Sequence, residues 1–472
     1  METNGNPLKR FFGVEYLIPK EKRLGDLPSD KEVYGRAFRM AWPSALETVL
    51  ISLISSMDMI MVSGLGSAAV AAVGITDQPK FIIMATVLAL NTGVTVIVAR
   101  RKGQNNPEDA NRALRNAILL SLGLSFALSA FGILFAKPVL ALAGAGKDYL
   151  DIATGYFKII MIGNFFTCVG LTMTSAQRGA GNTKISMKTN LTANIVNVIF
   201  NYLLINGIGP FPRLEVTGAA LATMIGNIVS FAMAVYSISR PGGFLQLSLK
   251  QDWKPNMDAI HQLSRISSAS LVEQWFIRIG FFMYTRAVAG LGTDAFATHN
   301  ICMKVINLSF AVGDGLSIAS SSLVGSHLGM KRADLSMVYC KAIGRIGMSI
   351  AALLAIFEIT FRIPILTLFS QGNEVIVRLG EPVMFLIAVT VAMQIGQVIT
   401  FGALRGAGDL KFVALLMMIS VTCVRPGLTY LLCYGFGWGL NGAWVALLID
   451  QCLRNLSSSL RFSQGHWMSI QV

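Results

Sequence analysis

An all-α membrane protein of about twelve transmembrane helices in two parallel six-helix repeats is the fold this sequence predicts, and three observations carry it. Of the 472 residues, 53% are hydrophobic and only 14% are charged, far from the usage of soluble domains. Apolar runs of roughly 20 residues, each long enough to cross about 30 Å of hydrocarbon as a helix, recur along the whole chain. Short marker segments also return in the same order at nearly the half-chain distance.

Taken in order, the spans centre near Ile51, Met84, Leu122, Met161, Val196, Ile228, Phe281, Phe310, Ala352, Ala388, Met418 and Leu447. Residues 1–38 precede them as a polar cytoplasmic arm that includes Lys9, Arg10, Lys20, Lys22, Arg23 and Lys31 and has no signal-peptide form. Phe11, Phe12 and Tyr16 make this arm either a surface-lying amphipathic segment or a disordered tail. Spans one to six fill an N-lobe at 39–240 and spans seven to twelve a C-lobe at 259–465. Between them runs a cytoplasmic linker at 241–258, punctuated by Pro241, Gly242, Gly243 and Pro255, and 466–472 forms a tail.

The net charge of +14 suggests nucleic acid at first sight, but the basic residues sit in the short connections between spans. Alternate connections hold Arg100, Arg101, Lys102 and Arg112, then Arg178 and Lys184, Lys250 and Lys254, Lys331 and Arg332, and Arg405 and Lys411. The opposite ones hold few, such as Lys137, Lys147, Arg213 and Arg378. The positive-inside rule therefore predicts a multi-pass protein with both termini in the cytoplasm, and no nucleic-acid partner. The six cysteines lie in or beside spans without a CxxC pair and read as small hydrophobes.

The repeat rests on three pairs. "RGAGNTK" at Arg178–Lys184 returns as "RGAGDLK" at Arg405–Lys411, 227 residues on; "LGSAAVAAVGI" from Leu65 returns as "LGTDAFATHNI" from Leu291, and Glu47 as Glu273, each 226 residues on. An even number of spans per half returns the chain to its starting side, so the halves are parallel, an architecture of secondary transporters. In each heptapeptide Gly179 and Gly181, or Gly406 and Gly408, suit a hinge or sharp turn. Arg178 and Arg405 suit the negative end of the helix they close.

An intramembrane carboxylate is costly unless it is neutral, paired or wet, so Asp58 in the first span is the leading candidate site. A single carboxyl group can load and release a proton; the alternative is a structural aspartate bonded to serines such as Ser55. In the fifth span Asn190, Asn194, Asn197 and Asn201 fall four, three and four residues apart, on one helical face. They either line a wet cavity or form an interhelical hydrogen-bond stripe. Amide oxygens beside a carboxylate are hard ligands suited to Na⁺, the one metal ion the sequence suggests. Glu273 shares its span with Arg278 and reads equally as a functional acid or half of a buried ion pair. Lys304, Asp314, Arg425 and Asp450 also lie in or at the edges of spans, and some are expected to pair. Met57, Met59, Met61, Met161, Met173, Met224 and Met283 supply either an adaptable apolar cavity or ordinary packing. Neither HExxH nor GxSxG occurs, the four histidines lack metal-ligand spacing, and there is no ATP-binding motif. The expectation is a non-enzyme without cofactor, driven by an ion gradient.

The runs "SSMDMIMVSGLGSAAVAAVG", "TGVTVIVARRKGQ", "GLGTDAFATHNI", "SLVGSHLG" and "WGLNGAWVAL", with the two RGAG turns, together resemble the MATE family of multidrug and toxic compound extrusion transporters. The superfamily also includes lipid-linked oligosaccharide flippases, and the resemblance covers nearly all of the chain after the arm. It implies two six-helix lobes forming a V, a monomer in the inner (plasma) membrane, and export of hydrophobic, often cationic, compounds in exchange for Na⁺ or H⁺. Export or flipping of a lipid-linked or amphiphilic metabolite is the alternative it implies. The sequence looks closer to the DNA-damage-inducible branch than to the NorM-like branch. The cation site of the former implies roles for Asp58, Asn197 and Thr223, but its second acidic residue is Asn201 here, which leaves Asp58 the only obvious anion. The NorM-like branch has an acidic residue where this chain has Gln394, three positions before Gln397. That argues against cation coupling of that type and leaves Glu273, Arg278, Gln394 and Gln397 as a C-lobe polar cavity.

Overall fold

The structure, a computed structural model, describes residues 11–247, 253–370 and 372–470, apart from the side chains of Ser55, Ser56, Met59, Ile60, Ser63, Ser67 and Gln78. Lys9, Arg10 and Lys250, counted above among the basic residues, lie outside that set. Secondary structure among the described residues is helical throughout. The first repeat contains α1 (Asp30–Ser63), α2 (Ser67–Gly103), α3 (Pro107–Leu134), the short α4 (Ala136–Leu142), α5 (Leu150–Gly179), α6 (Thr183–Asn206) and α7 (Glu215–Ser239). The second contains α8 (Met257–Ala289), α9 (Thr293–Gly329), α10 (Ala333–Thr360), the short α11 (Arg362–Ser370), α12 (Glu374–Ala407), α13 (Leu410–Gly435) and α14 (Gly439–Gln464).

All twelve predicted span centres fall on long helices, and α4 and α11 are additions that the hydropathy pattern did not separate from α3 and α10. Among the described residues, nine of the twelve long helices are apolar enough to span a membrane on composition alone. The other three, α6, α8 and α14, carry the asparagine stripe, Glu273 with Arg278, and Asp450 with Arg454. Polar groups in these helices therefore carry the interest for function.

Local chemistry sets the helix ends. Asn106 caps α3 by accepting from Asp109 N at 3.1 Å, with Pro107 in the first turn, and Asn373 caps α12 by accepting from Val375 N at 3.0 Å. The repeat is visible in backbone angles: Gly66 and Gly292 have φ of 102° and 108°, and Gly181 and Gly408 have φ of 85° and 91°. Each pair occupies matched turns where a side chain would be strained. The first glycine of each RGAG run has a different role. Gly179 lies inside α5, where a Cβ would come within 2.6 Å of Thr95 O, and Gly406 lies inside α12 against Ser321 O. Both are notches that let two helices approach, and only Gly181 and Gly408 supply the turn.

Two compact units emerge, one formed by Leu46–Leu271 and the other by Val272–Val472 together with the N-terminal stretch up to Ala45. The units are thus offset from the sequence halves 39–240 and 259–465, because the first part of α1 packs with the second repeat and the first part of α8 with the first. Pro43 breaks the helical bonding of α1 just before it passes from one unit to the other.

The N-terminal arm is neither a tail nor a surface-lying amphipathic segment from residue 11 on. Val14, Leu17 and Ile18 are buried in the core of the second unit with Leu323, Val324 and Tyr339 of α9 and α10. Lys341 Nζ donates to Leu17 O at 2.8 Å, Leu24 N donates to Asp334 Oδ2 at 3.0 Å, and Arg332 donates to Asp26 O at 3.0 Å. Phe11 and Tyr16, two of the three aromatics that suggested a surface-lying segment, are exposed, and Phe12 packs edge-on against Tyr34.

Candidate functional site

Within the Leu46–Leu271 unit a polar cavity of 240 Å³ opens beside Asp58. Asp58 Oδ1 accepts a hydrogen bond from Asn201 Nδ2 at 2.7 Å, and Thr223 on α7 lines the same cavity. Asn197 lies between them. With nitrogen toward Asp58 it donates at 2.9 Å to Oδ1 and 3.3 Å to Oδ2, which suits an ionised carboxylate. Its oxygen then accepts from Thr223 Oγ1 and from Thr223 N, each at 3.2 Å. The oxygens of Asp58, Asn197, Asn201 and Thr223 are also the hard donors that a Na⁺ ion takes.

The predicted stripe divides. Asn197 and Asn201 face Asp58, Asn190 donates to Glu47 Oε1, and half-buried Asn194 bonds to neither carboxylate. Ser55, the alternative partner of Asp58, and Met59 have side chains outside the described set. None of the other named methionines lines the cavity; Met84 of α2 does, while Met161 is core and Met57 is exposed.

Two charged residues that sequence reasoning passed over enter this cavity. Asp77 and Lys80 on α2 pair at 2.9 Å, one turn apart and both part-exposed to it. The signal was present, since the run "TDQPK" places two charges around Pro79 in an otherwise apolar span. With Asp58 they give the cavity two acids and one base.

The repeat-related glutamates do something else. Glu47 pairs with Arg178 at 3.5 Å and accepts from Ser186 Oγ at 2.9 Å, and Glu273 pairs with Arg405. Of the two readings of Glu273 the buried ion pair holds, with Arg405 of the RGAG turn as its partner, because the turn brings its arginine back onto the first helix of the same unit. The arginines expected to serve helix ends are bound to carboxylates. Gln394 and Gln397 of α12 are buried, and neither Oε1 receives a hydrogen bond among the described residues. Of the four scattered charges, Arg425 and Asp450 pair with each other, at 2.5 Å.

Two repeats of six spans, one holding a polar cavity around an intramembrane carboxylate, define a multi-pass membrane transporter. The MatE family model matches residues 43–203 and 269–431, one stretch in each repeat, and the chain belongs to this family. A Thermotoga maritima protein named probable multidrug resistance protein NorM is 24% identical over 458 residues, 97% of each chain. A Shewanella oneidensis FAD transporter is 32% identical over 197 residues, 42% of this chain and 44% of its own length. Among solved structures, an outward-facing multidrug resistance MATE family transporter of the MOP superfamily superposes with a TM-score of 0.85 at 20% identity, covering 92% of this chain and 96% of that one.

Proposed function

We propose that this MATE transporter is a secondary active exporter of the plasma membrane, with both termini cytoplasmic. By alternating access it moves hydrophobic, cationic organic compounds outward in exchange for H⁺ or Na⁺. The observation that carries this reading is the carboxylate of Asp58, bonded by Asn201 at 2.7 Å and facing a polar cavity of 240 Å³. A carboxylate at that depth binds a cation more strongly than it does in water, because less solvent screens its charge. Loading one coupling cation and releasing it on the other side is then the elementary step, and Asn197 and Thr223 rearrange their hydrogen bonds around it.

The test is uptake of a fluorescent cationic dye into inverted vesicles, with pH and Na⁺ gradients imposed separately, for wild type and Asp58→Asn. Asparagine keeps the shape and an acceptor for Asn201 but has no titratable charge. Accumulation that follows one gradient and is lost in the folded variant is the expected result. Gradient-driven accumulation by Asp58→Asn at the wild-type rate refutes the assignment. A second reading, export of an anionic amphiphilic metabolite, is favoured by the likeness to the FAD transporter. It predicts no dye accumulation with either gradient, and vesicle uptake of a flavin nucleotide instead.

A further inference from the structure

The repeat allows the Asp58 cavity to be mapped onto the other unit. Helices α6 and α13 begin 227 residues apart, at Thr183 and Leu410, and a π-helical stretch at Met418–Val424 adds a residue to the turn. Beyond that stretch the mate of Asn197 is Arg425. In α7 and α14 the runs "GAALATMIGN" and "GAWVALLIDQ" align Gly226 with Asp450. Packing confirms the register, since Gly226 lies against Ala193 and Asn197, and Asp450 bonds to their mates Ser420 and Arg425. The offset of 226 that relates Glu47 to Glu273 sets Tyr284 in the place of Asp58. Arg425 lies 5.7 Å from the centre of the Tyr284 ring.

The position of a carboxylate among amides in one unit is thus a guanidinium cluster in the other. Asp450 Oδ2 accepts from Arg425 Nε at 3.0 Å and Nη2 at 2.5 Å, and from Arg454 Nη2 at 2.6 Å. Relative exposures of 1% for Arg425, 0% for Asp450 and 4% for Arg454 leave no solvent to screen them. Two arginines against one aspartate make a net charge of +1 in a membrane-spanning bundle. Among the described residues Asp450 is the one carboxylate that pairs with either arginine, while Glu273 pairs with Arg405 and Asp409 with Arg461. Among the described residues no group accepts from Arg425 Nη1 or Arg454 Nε, and Arg454 Nη1 meets only the thioether of Met417 at 3.3 Å. The Phe281 ring, 5.0 Å from the Arg425 guanidinium, offers a π face but no charge. Buried guanidinium groups with free donors and an unbalanced charge are a site for an anion.

We propose that Arg425, Asp450 and Arg454 form an anion site that takes one small monovalent anion, supplied as a free halide or as the carboxylate of a transported molecule. The site does not depend on the coupling assigned to Asp58. It closes the second unit to Na⁺ and H⁺ coupling at the place where the first unit provides it.

The experiment is thermal melting of the purified full chain in detergent at constant ionic strength, in sodium gluconate, whose anion is too large for a buried site, with chloride or formate titrated in. A saturable rise of several degrees is expected for wild type. A response to chloride identifies a free halide, and a response to formate alone identifies the carboxylate source. Arg425→Gln and Arg454→Gln each leave a one-to-one pair with Asp450, and both are expected to melt cooperatively without the anion response. Two independent variants guard against failure of one to fold. A wild-type melting temperature that is the same in all three salts overturns the proposal, as does an undiminished response in either folded variant.

Discussion

Replacing Arg178 with glutamine is expected to destabilise the Leu46–Leu271 unit more than replacing Glu47, although the two form one ion pair. The side chain of Glu47 is 3% exposed and that of Arg178 is 17% exposed. Removing the arginine strands a buried carboxylate, which costs about 3 kcal/mol, the low end of the usual range because Ser186 and Asn190 still donate to it. Removing the glutamate leaves an arginine that reaches solvent and keeps Ser175 at 2.8 Å, a loss of about 1 kcal/mol. The double variant Glu47→Gln/Arg178→Gln then resembles Glu47→Gln alone, so the coupling energy is about 3 kcal/mol. For a unit of this size each kcal/mol moves the melting temperature by roughly 2–4 °C. Melting of the purified variants, followed by tryptophan fluorescence, should rank Arg178→Gln lowest, about 6–12 °C below wild type. Equal shifts for the two single variants, or a double variant that sums them, refutes the reasoning. The mirrored pair Glu273–Arg405, with exposures of 2% and 25%, should give the same ranking.

Along the asparagine stripe, Asn201→Ala should lower gradient-driven dye uptake at least tenfold, the effect of about 1.4 kcal/mol, whereas Asn194→Ala should leave it within twofold; vesicle rates compare them directly. Gly179→Ala should cost about 1–3 kcal/mol through its clash with Thr95, and Gly181→Ala about 1 kcal/mol through left-handed strain; melting curves of the two separate a packing notch from a turn. Ile18→Asp should release the arm from α9 and α10 at a cost of about 2–5 kcal/mol, and limited proteolysis should then cut residues 11–29, which resist it in wild type.

Spans and repeat were legible because hydropathy and a constant offset are local properties of the chain. The pairing of Glu47 with Arg178 was not, since their positions lie 131 apart, yet both members recur in the second half, and that joint recurrence was the unused clue. Asn197 and Asn201 did come together at Asp58, because the fifth-span spacing fixed one helical face, while Thr223 beside them was legible only through the family resemblance. Asn194 shares that stripe by its sequence spacing but bonds to neither carboxylate, which spacing alone cannot tell. Burial of Val14, Leu17 and Ile18 was hidden, for an arm of two three-residue 3-10 turns is too short to show a period by which to read its inward side. The π-helical stretch that moves Arg425 into the place of Asn197 leaves no compositional trace either, so the charge reversal appears only in coordinates.

The passage of α1 between the two units also bears on how the protein is made. Residues 11–45 leave the ribosome long before α9 to α14, which complete the unit they belong to. The hydrogen bond from Leu24 to Asp334, 310 positions away, cannot form until most of the chain has entered the membrane. Neither repeat can therefore finish folding as a nascent half. The earliest segment synthesised must wait unpaired for some of the last, so co-translational insertion fixes the topology while tertiary closure belongs to the completed chain.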